Sequence, residues 1–281
     1  MSATTTGPCV ICGEETKTRC SSCASAGTNF MFFCTQEHQK LVWPYHKEVC
    51  GKKGNPFLFP GLSKDEVDFA IKHVDTPVTT FGMRPISIKQ SLVELLGRVP
   101  RDIPSLIRSL SKDGTPQYAQ LIQQALLLKI RGVCGQLAVA PFETQGTQED
   151  FLLSTNVWQK TMGTCSVVTQ SIRPRGSAIG AVPWMSAFQH RLLLHQVLER
   201  LEAIAKRSGD SVKALQYGRF RTYAYLAMYR FLFTDVKPAF PEDAVAVLHE
   251  MKLTFIPVDR SLLPPGQPSP EEDPAYYGFE S

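Results

Sequence analysis

Beyond residue 60, apolar positions recur at helical spacing. Val67, Ile71 and Val74 follow at i, i+4 and i+7 behind Ser63 and Glu66, which have the spacing of a capping box. Ile88, Leu92, Leu95, Leu96 and Val99 form a second stripe. Asp102 is placed to cap a short helix bearing Ile103, Leu106, Ile107 and Leu110, which Gly114 would stop. Thr115 and Pro116 open a longer helix through Tyr118, Leu121, Ile122 and Ala125 that fades near Gly132. Thr147 and Asp150 repeat the capping-box spacing ahead of FLLSTNVW. Residues 163–183 show no period and carry Gly163, Gly176, Gly180, Pro174 and Pro183. They predict a loop, with a strand in CSVVT. Two long helices are predicted at about 185–207 and 210–233, joined at Ser208 and Gly209. A short helix starts at Pro241, and LTFI reads as a last strand. The fold class is therefore mainly α-helical over residues 54–260. Residues 261–281 hold five prolines, four acids and no base, the composition of a disordered acidic tail.

The first 53 residues have a different character. Six of the eight cysteines fall there, together with two of the six histidines. The run from Cys9 to Cys50 reads C-x2-C-x7-C-x2-C-x10-C-x3-H-x7-H-x3-C. A C-x2-C pair on a tight turn offers two thiolates at little backbone cost. A C-x3-H or H-x3-C pair places both side chains on one face of a helical turn. Two knuckle pairs followed by two helical pairs make eight ligands, or two tetrahedral zinc sites of four. A disulfide framework is the competing reading. It needs an oxidising compartment and gives the histidines no role. GKKGNP at 51–56 marks the end of this segment, so the finger is expected to fold independently of the helices that follow.

Composition narrows the function classes. The chain has 281 residues, 43% of them hydrophobic, enough for a sizeable core. The net charge of +4 is mild. MSATTTGP has neither a basic nor an apolar run, so no signal peptide is read there. No unbroken apolar window reaches the ~18 residues of a membrane span. ALLLKIRGVCGQLAVA is interrupted by Lys129 and Arg131. The expectation is an intracellular protein of nucleus or cytoplasm with no membrane contact. Within residues 1–50, Lys17, Arg19, Lys40 and Lys47 balance Glu14, Glu15, Glu37 and Glu48. That neutrality argues against a phosphate-binding face and so against nucleic acid. YGRFRTYAYLAMYRFLF, at 217–233, interleaves aromatics with arginines, a combination that can stack on and clamp single-stranded nucleic acid. Its Tyr217, Phe220, Ala224, Ala227, Met228 and Phe231 instead share one broad face, the pattern of a core helix.

The ending HQKLVWPYHKEVC resembles the MYND-type zinc finger. Cys34, Gln39, Trp43, His46 and Cys50 match that family's pattern, and His38 stands where cysteine is more usual. The resemblance covers residues 9–50 alone. It implies a small cross-brace finger in which alternate pairs share a metal. Carried over, one zinc takes Cys9, Cys12, Cys34 and His38, and the other takes Cys20, Cys23, His46 and Cys50. Both zincs would be structural, since all four positions are filled. The resemblance also implies a shallow groove for short proline-containing peptides of PxLxP type. Those peptides would add along a hairpin edge formed or flanked by Phe30, Met31, Phe32 and Phe33, with Gln39 and Trp43 meeting their side chains.

No SET-type methyltransferase stretch, phosphate loop, HExxH or GxSxG is present in the sequence. Cys134 and Cys165 are isolated and read as core residues. His73, His190, His195 and His249 have no ligand spacing. The expectation is an adaptor: a finger (residues 1–53) binding proline-rich segments of partner proteins, joined to a helical domain (54–260). The alternative is an enzyme whose helical domain carries an activity without a recognised motif, targeted by the finger.

Overall fold

The structure is a computed structural model. It describes residues 6–27, 31–51, 58–78, 85–115, 117–139, 157–158, 160–165, 167–168, 171–172 and 182–254, without the side chains of 136, 138–139 and 252–254. Its elements in chain order are β1 (Gly7–Pro8), β2 (Glu15–Thr16), α1 (Ser21–Ser25), α2 (Gln36–Val49), α3 (Lys64–Lys72), α4 (Ile88–Leu96), α5 (Ile103–Ser109), α6 (Gln120–Val139), α7 (Met185–Arg207), α8 (Ser211–Phe231), a π-helical turn (Leu232–Val236) and α9 (Pro241–Thr254). The contacts group the chain into two compact units, residues 58–162 and residues 1–57 with 163–281.

In the unit of residues 58–162, short helices begin at side-chain caps. Ser63 accepts from the Glu66 amide while Glu66 accepts from the Ser63 amide. Ser87 and Gln90 repeat the same box at the start of α4, and Asp102 caps α5. Ile88, Leu92, Leu106, Ile107, Leu110, Leu126, Leu127, Ile130 and Leu137 fill the core. A buried cation pins α6 to this core. Arg131 Nε donates to Glu66 Oε1 at 2.8 Å, and its other nitrogens reach Glu66 Oε2 and the carbonyls of Pro60 and Gly61. Every guanidinium nitrogen is thus satisfied, as burial of a charge requires.

Several expectations change in this unit. α4 stops at Leu96, where Gly97 takes a left-handed φ of 65°, so Val99 lies beyond the helix and is exposed. α6 starts at Gln120 and runs through Gly132 to Val139. Its buried face is Leu126, Leu127, Ile130, Val133, Cys134 and Leu137, while Leu121 is 81% exposed. The sequence face was misplaced because the segment is apolar nearly all round, which weakens its period. The box at Thr147 and Asp150 lies outside the described residues.

In the other unit, α7 and α8 form the central helix pair. Gly209, with φ 75°, turns the chain between them. Met185, Phe188, Leu192, Met228, Tyr229, Leu232, Val247 and Met251 build the core beside them. Arg221 is buried and donates from Nε to Glu202 Oε2 at 2.6 Å. One arginine of the aromatic–arginine stretch therefore serves the interior of the helix pair. Residues 163–165, 167–168 and 171–172 are helical. This overturns the loop-and-strand expectation there: Cys165 and Val168 are fully buried in the core, and packing overrides weak local preference. Leu253 and Thr254 close α9 rather than opening a strand. Phe255, Ile256 and the tail 261–281 lie outside the described residues.

Candidate metal centres and interaction face

The finger is built around residues 31–33, all three buried. Phe32 bridges Cys9 on one side and Arg19 on the other. Val10 donates to the Phe32 carbonyl, Cys20 to the Met31 carbonyl, and Phe33 to the Thr18 carbonyl, at 2.9–3.0 Å. Residues 31–33 thereby tie the two C-x2-C knuckles together from the middle. Both sides of this short segment are engaged, so it does not present the free hairpin edge that the resemblance implied. Phe30 lies outside the described residues.

Two glycines make the knuckles possible. Gly13 has φ 85°, and a Cβ there would meet the Tyr223 ring at 2.7 Å. At Gly7 a Cβ would meet the Phe32 ring at 2.6 Å.

α2 and the residues just outside its two ends supply the remaining Cys/His groups. Thr35 caps it by accepting from the His38 amide. Cys34 and His38, then His46 and Cys50, stand four residues apart at its two ends. The structure gathers the eight residues into two groups, Cys9–Cys12–Cys34–His38 and Cys20–Cys23–His46–Cys50, with the ligand atoms of each within 4.8 Å of one another. In the first, Cys9 Sγ lies 3.6 Å from His38 Nδ1, Cys12 Sγ 3.5 Å from Cys34 Sγ, and Cys34 Sγ 3.1 Å from His38 Nδ1. In the second, Cys20 Sγ lies 3.4 Å from Cys50 Sγ and 3.5 Å from His46 Nε2. Cys23 Sγ lies 3.4 Å from that nitrogen. Tetrahedral Zn–S and Zn–N bonds put ligand atoms about 3.5–3.8 Å apart. Five of the six spacings lie close to that figure, Cys34 to His38 is shorter, and all are far too long for disulfides; all eight cysteines are free.

Burial pushes the Cys23 thiol up to about 12 and also raises Cys12, Cys34 and Cys50. Burial, with His190 nearby, pushes His46 down to about 4. His46 therefore offers a neutral nitrogen at physiological pH, and zinc must displace protons from the thiols it binds. Two Cys3His sets fit two structural zinc ions, each closed by four protein ligands.

The finger is braced by the helices of its own unit. His190 on α7 lies with Nδ1 2.7 Å from the Ser186 carbonyl and Nε2 2.8 Å from the carbonyl of Val49 at the end of α2. Its ring sits 5.7 Å from His46. Phe220 on α8 meets His38 edge-on with ring centroids 5.0 Å apart. Sequence reading named neither His190 nor Phe220 as a site residue. His190 and Phe220 lie more than 140 residues from their partners, and no local spacing signals such a contact.

Among the residues expected to meet a peptide, Trp43 is 42% exposed and Gln39 is half-buried one turn earlier. The indole also leans on His46, ring centroids 5.9 Å apart. Trp43 can thus pack on His46 with one part of its ring and offer the rest to solvent.

Residues 9–50 match the MYND finger family. No curated protein matches the chain, and no solved structure does. The N-terminal segment is a MYND finger with two Cys/His clusters, followed by mainly helical structure, and MYND fingers are zinc-binding protein-interaction modules. Among the described residues, no helix is long and apolar enough to cross a membrane.

Proposed function

We propose that the protein is an adaptor whose finger holds short proline-containing peptides of partner proteins. Cys9, Cys12, Cys34 and His38 hold one zinc, and Cys20, Cys23, His46 and Cys50 hold the other. Both ions serve folding, and Gln39 and Trp43 meet the peptide. The helical residues 54–260 are the scaffold that carries the finger and links its partner to others.

The observation that supports this reading is the exposure of Trp43 on a finger whose Met31, Phe32, Phe33, Val42 and Val49 are all buried. An exposed large aromatic on a rigid helix is a ready anchor for an extended proline-rich strand. The test is a screen of immobilised proline-rich peptides, followed by titration of the binders against wild type and Trp43→Ala. Loss of about 2 kcal/mol or more of binding, the range of an aromatic anchor, with two zincs retained, supports the reading. Unchanged affinity in Trp43→Ala would refute it.

A further inference from the structure

One face of α2 is open to solvent along its whole length. Gln36, Lys40, Trp43 and Lys47 are all exposed. They stand four, three and four residues apart, which sets them in a row along the helix. An indole therefore lies between two ammonium groups, and the exposed Glu37 carboxylate stands near the first of them, Lys40. Neither lysine is ion-paired among the described residues. Pro44, inside the helix, has no N–H to give the Lys40 carbonyl. The row thus offers one aromatic face, two cations and one acceptor. Its complement is a segment with prolines for the indole, carboxylates for the lysines and no cations of its own.

The chain carries such a segment. SLLPPGQPSPEEDP, at 261–274, has its prolines at 264, 265, 268, 270 and 274, with Glu271, Glu272 and Asp273 among them. It follows α9, which lies in the same compact unit as the finger. The ten residues from Thr254 to Pro264 can span up to about 33–36 Å. A compact unit of roughly 175 residues has a radius of gyration of about 16 Å. The full span of the tether is comparable to the breadth of that unit.

We infer that residues 264–273 dock in cis on the row Gln36, Lys40, Trp43 and Lys47. The prolines cover the indole, and Glu271, Glu272 and Asp273 lie beside the two lysines. The chain's own tail then competes with partner peptides, so the finger is regulated by its own sequence. This rests on Trp43 being a peptide-binding residue. A short tether gives an effective concentration of about 1 mM. With an intrinsic Kd of about 100 μM, roughly a tenth of the fingers would be free, and an added peptide would bind about tenfold more weakly.

The test uses the full zinc-loaded chain and two fluorescein-labelled peptides read by anisotropy. One is SLLPPGQPSPEEDP itself and the other is of PxLxP type. Wild type is compared with a tail variant carrying P264A, P265A, E271Q, E272Q and D273N. These changes lie outside the described helices. The tail variant should bind the SLLPPGQPSPEEDP probe about tenfold more tightly than wild type does. Adding K40E and K47E to that variant should abolish most of the gain. Equal affinity for the two chains, or no binding to the tail variant, would overturn the inference. If the PxLxP-type peptide then binds both chains equally and only with Trp43 present, the adaptor reading stands while the tail contact falls. If neither peptide depends on Trp43, both fall. Suppression that grows with protein concentration would place the tail on a second copy and overturn the cis arrangement.

Discussion

At the scale of single residues, the finger depends on groups that are not ligands. Gly13 turns the first knuckle with φ 85° and lies against Tyr223. Gly13→Ala puts a methyl group into both constraints at once. A cost of about 1–3 kcal/mol is expected, read as faster zinc loss to a chelator. Zinc retention equal to wild type would show that the Tyr223 contact yields without cost. In the tautomer with its hydrogen on Nε2, His190 donates to the Val49 carbonyl at 2.8 Å. His190→Ala leaves that buried acceptor bare, and the expected loss of about 1–3 kcal/mol is read as a lower thermal midpoint with zinc still bound. An unchanged midpoint would mean that water takes the place of the imidazole. The knuckle pairs and the i,i+4 pairs were legible in the sequence because each is a local pattern. Gly13, His190, Phe220 and Tyr223 were not, because their roles exist only once distant segments have met.

At the scale of elements, caps and buried pairs decide where helices start and what they hold. Glu66 caps α3 and also neutralises Arg131 on α6. Both side chains are almost wholly buried. Arg131→Met removes one partner of that pair and strands the Glu66 carboxylate. A loss of about 3–5 kcal/mol is expected, measured by urea unfolding. A double variant, Arg131→Met with Glu66→Gln, should recover part of it. No recovery would mean that packing of the arginine stem, not its charge, holds α6. The caps at Ser63 and Asp102 could be seen in advance because a cap is a short-range signal. The buried face of α6 could not, since an apolar segment with little periodicity points equally to several sides. The helical residues between 163 and 172 were hidden by nearby glycines and prolines, and burial of Cys165 and Val168 outweighs that local preference.

At the scale of the whole molecule, residues 1–57 group with residues 163–281, and the contacts through His190, Phe220 and Tyr223 join the finger to α7 and α8. The independence expected from GKKGNP has these contacts against it. Chelating zinc should therefore lower the unfolding midpoint of the helices as well as melt the finger. A far-ultraviolet melting curve unchanged by chelator would restore an independent finger. Acid should act in the same direction. His46 is held down at about 4, below its usual 6.5, so the unfolded chain takes up that proton first. Its contribution is whole above about pH 6.5 and is lost as pH falls towards 4. Proton competition for the thiolates has the same sign, so zinc should be retained at pH 7 and released on acidification. Release on raising the pH from 7 to 8 would contradict this. The most direct test of the account is the zinc-to-protein ratio of the purified full chain, measured by native mass spectrometry without chelator. Two zinc ions per chain are predicted, falling to one in Cys34→Ala or Cys50→Ala if the other set survives. One ion or none in the wild-type chain would contradict the paired Cys3His sites on which the finger, its exposed tryptophan and the adaptor reading all stand.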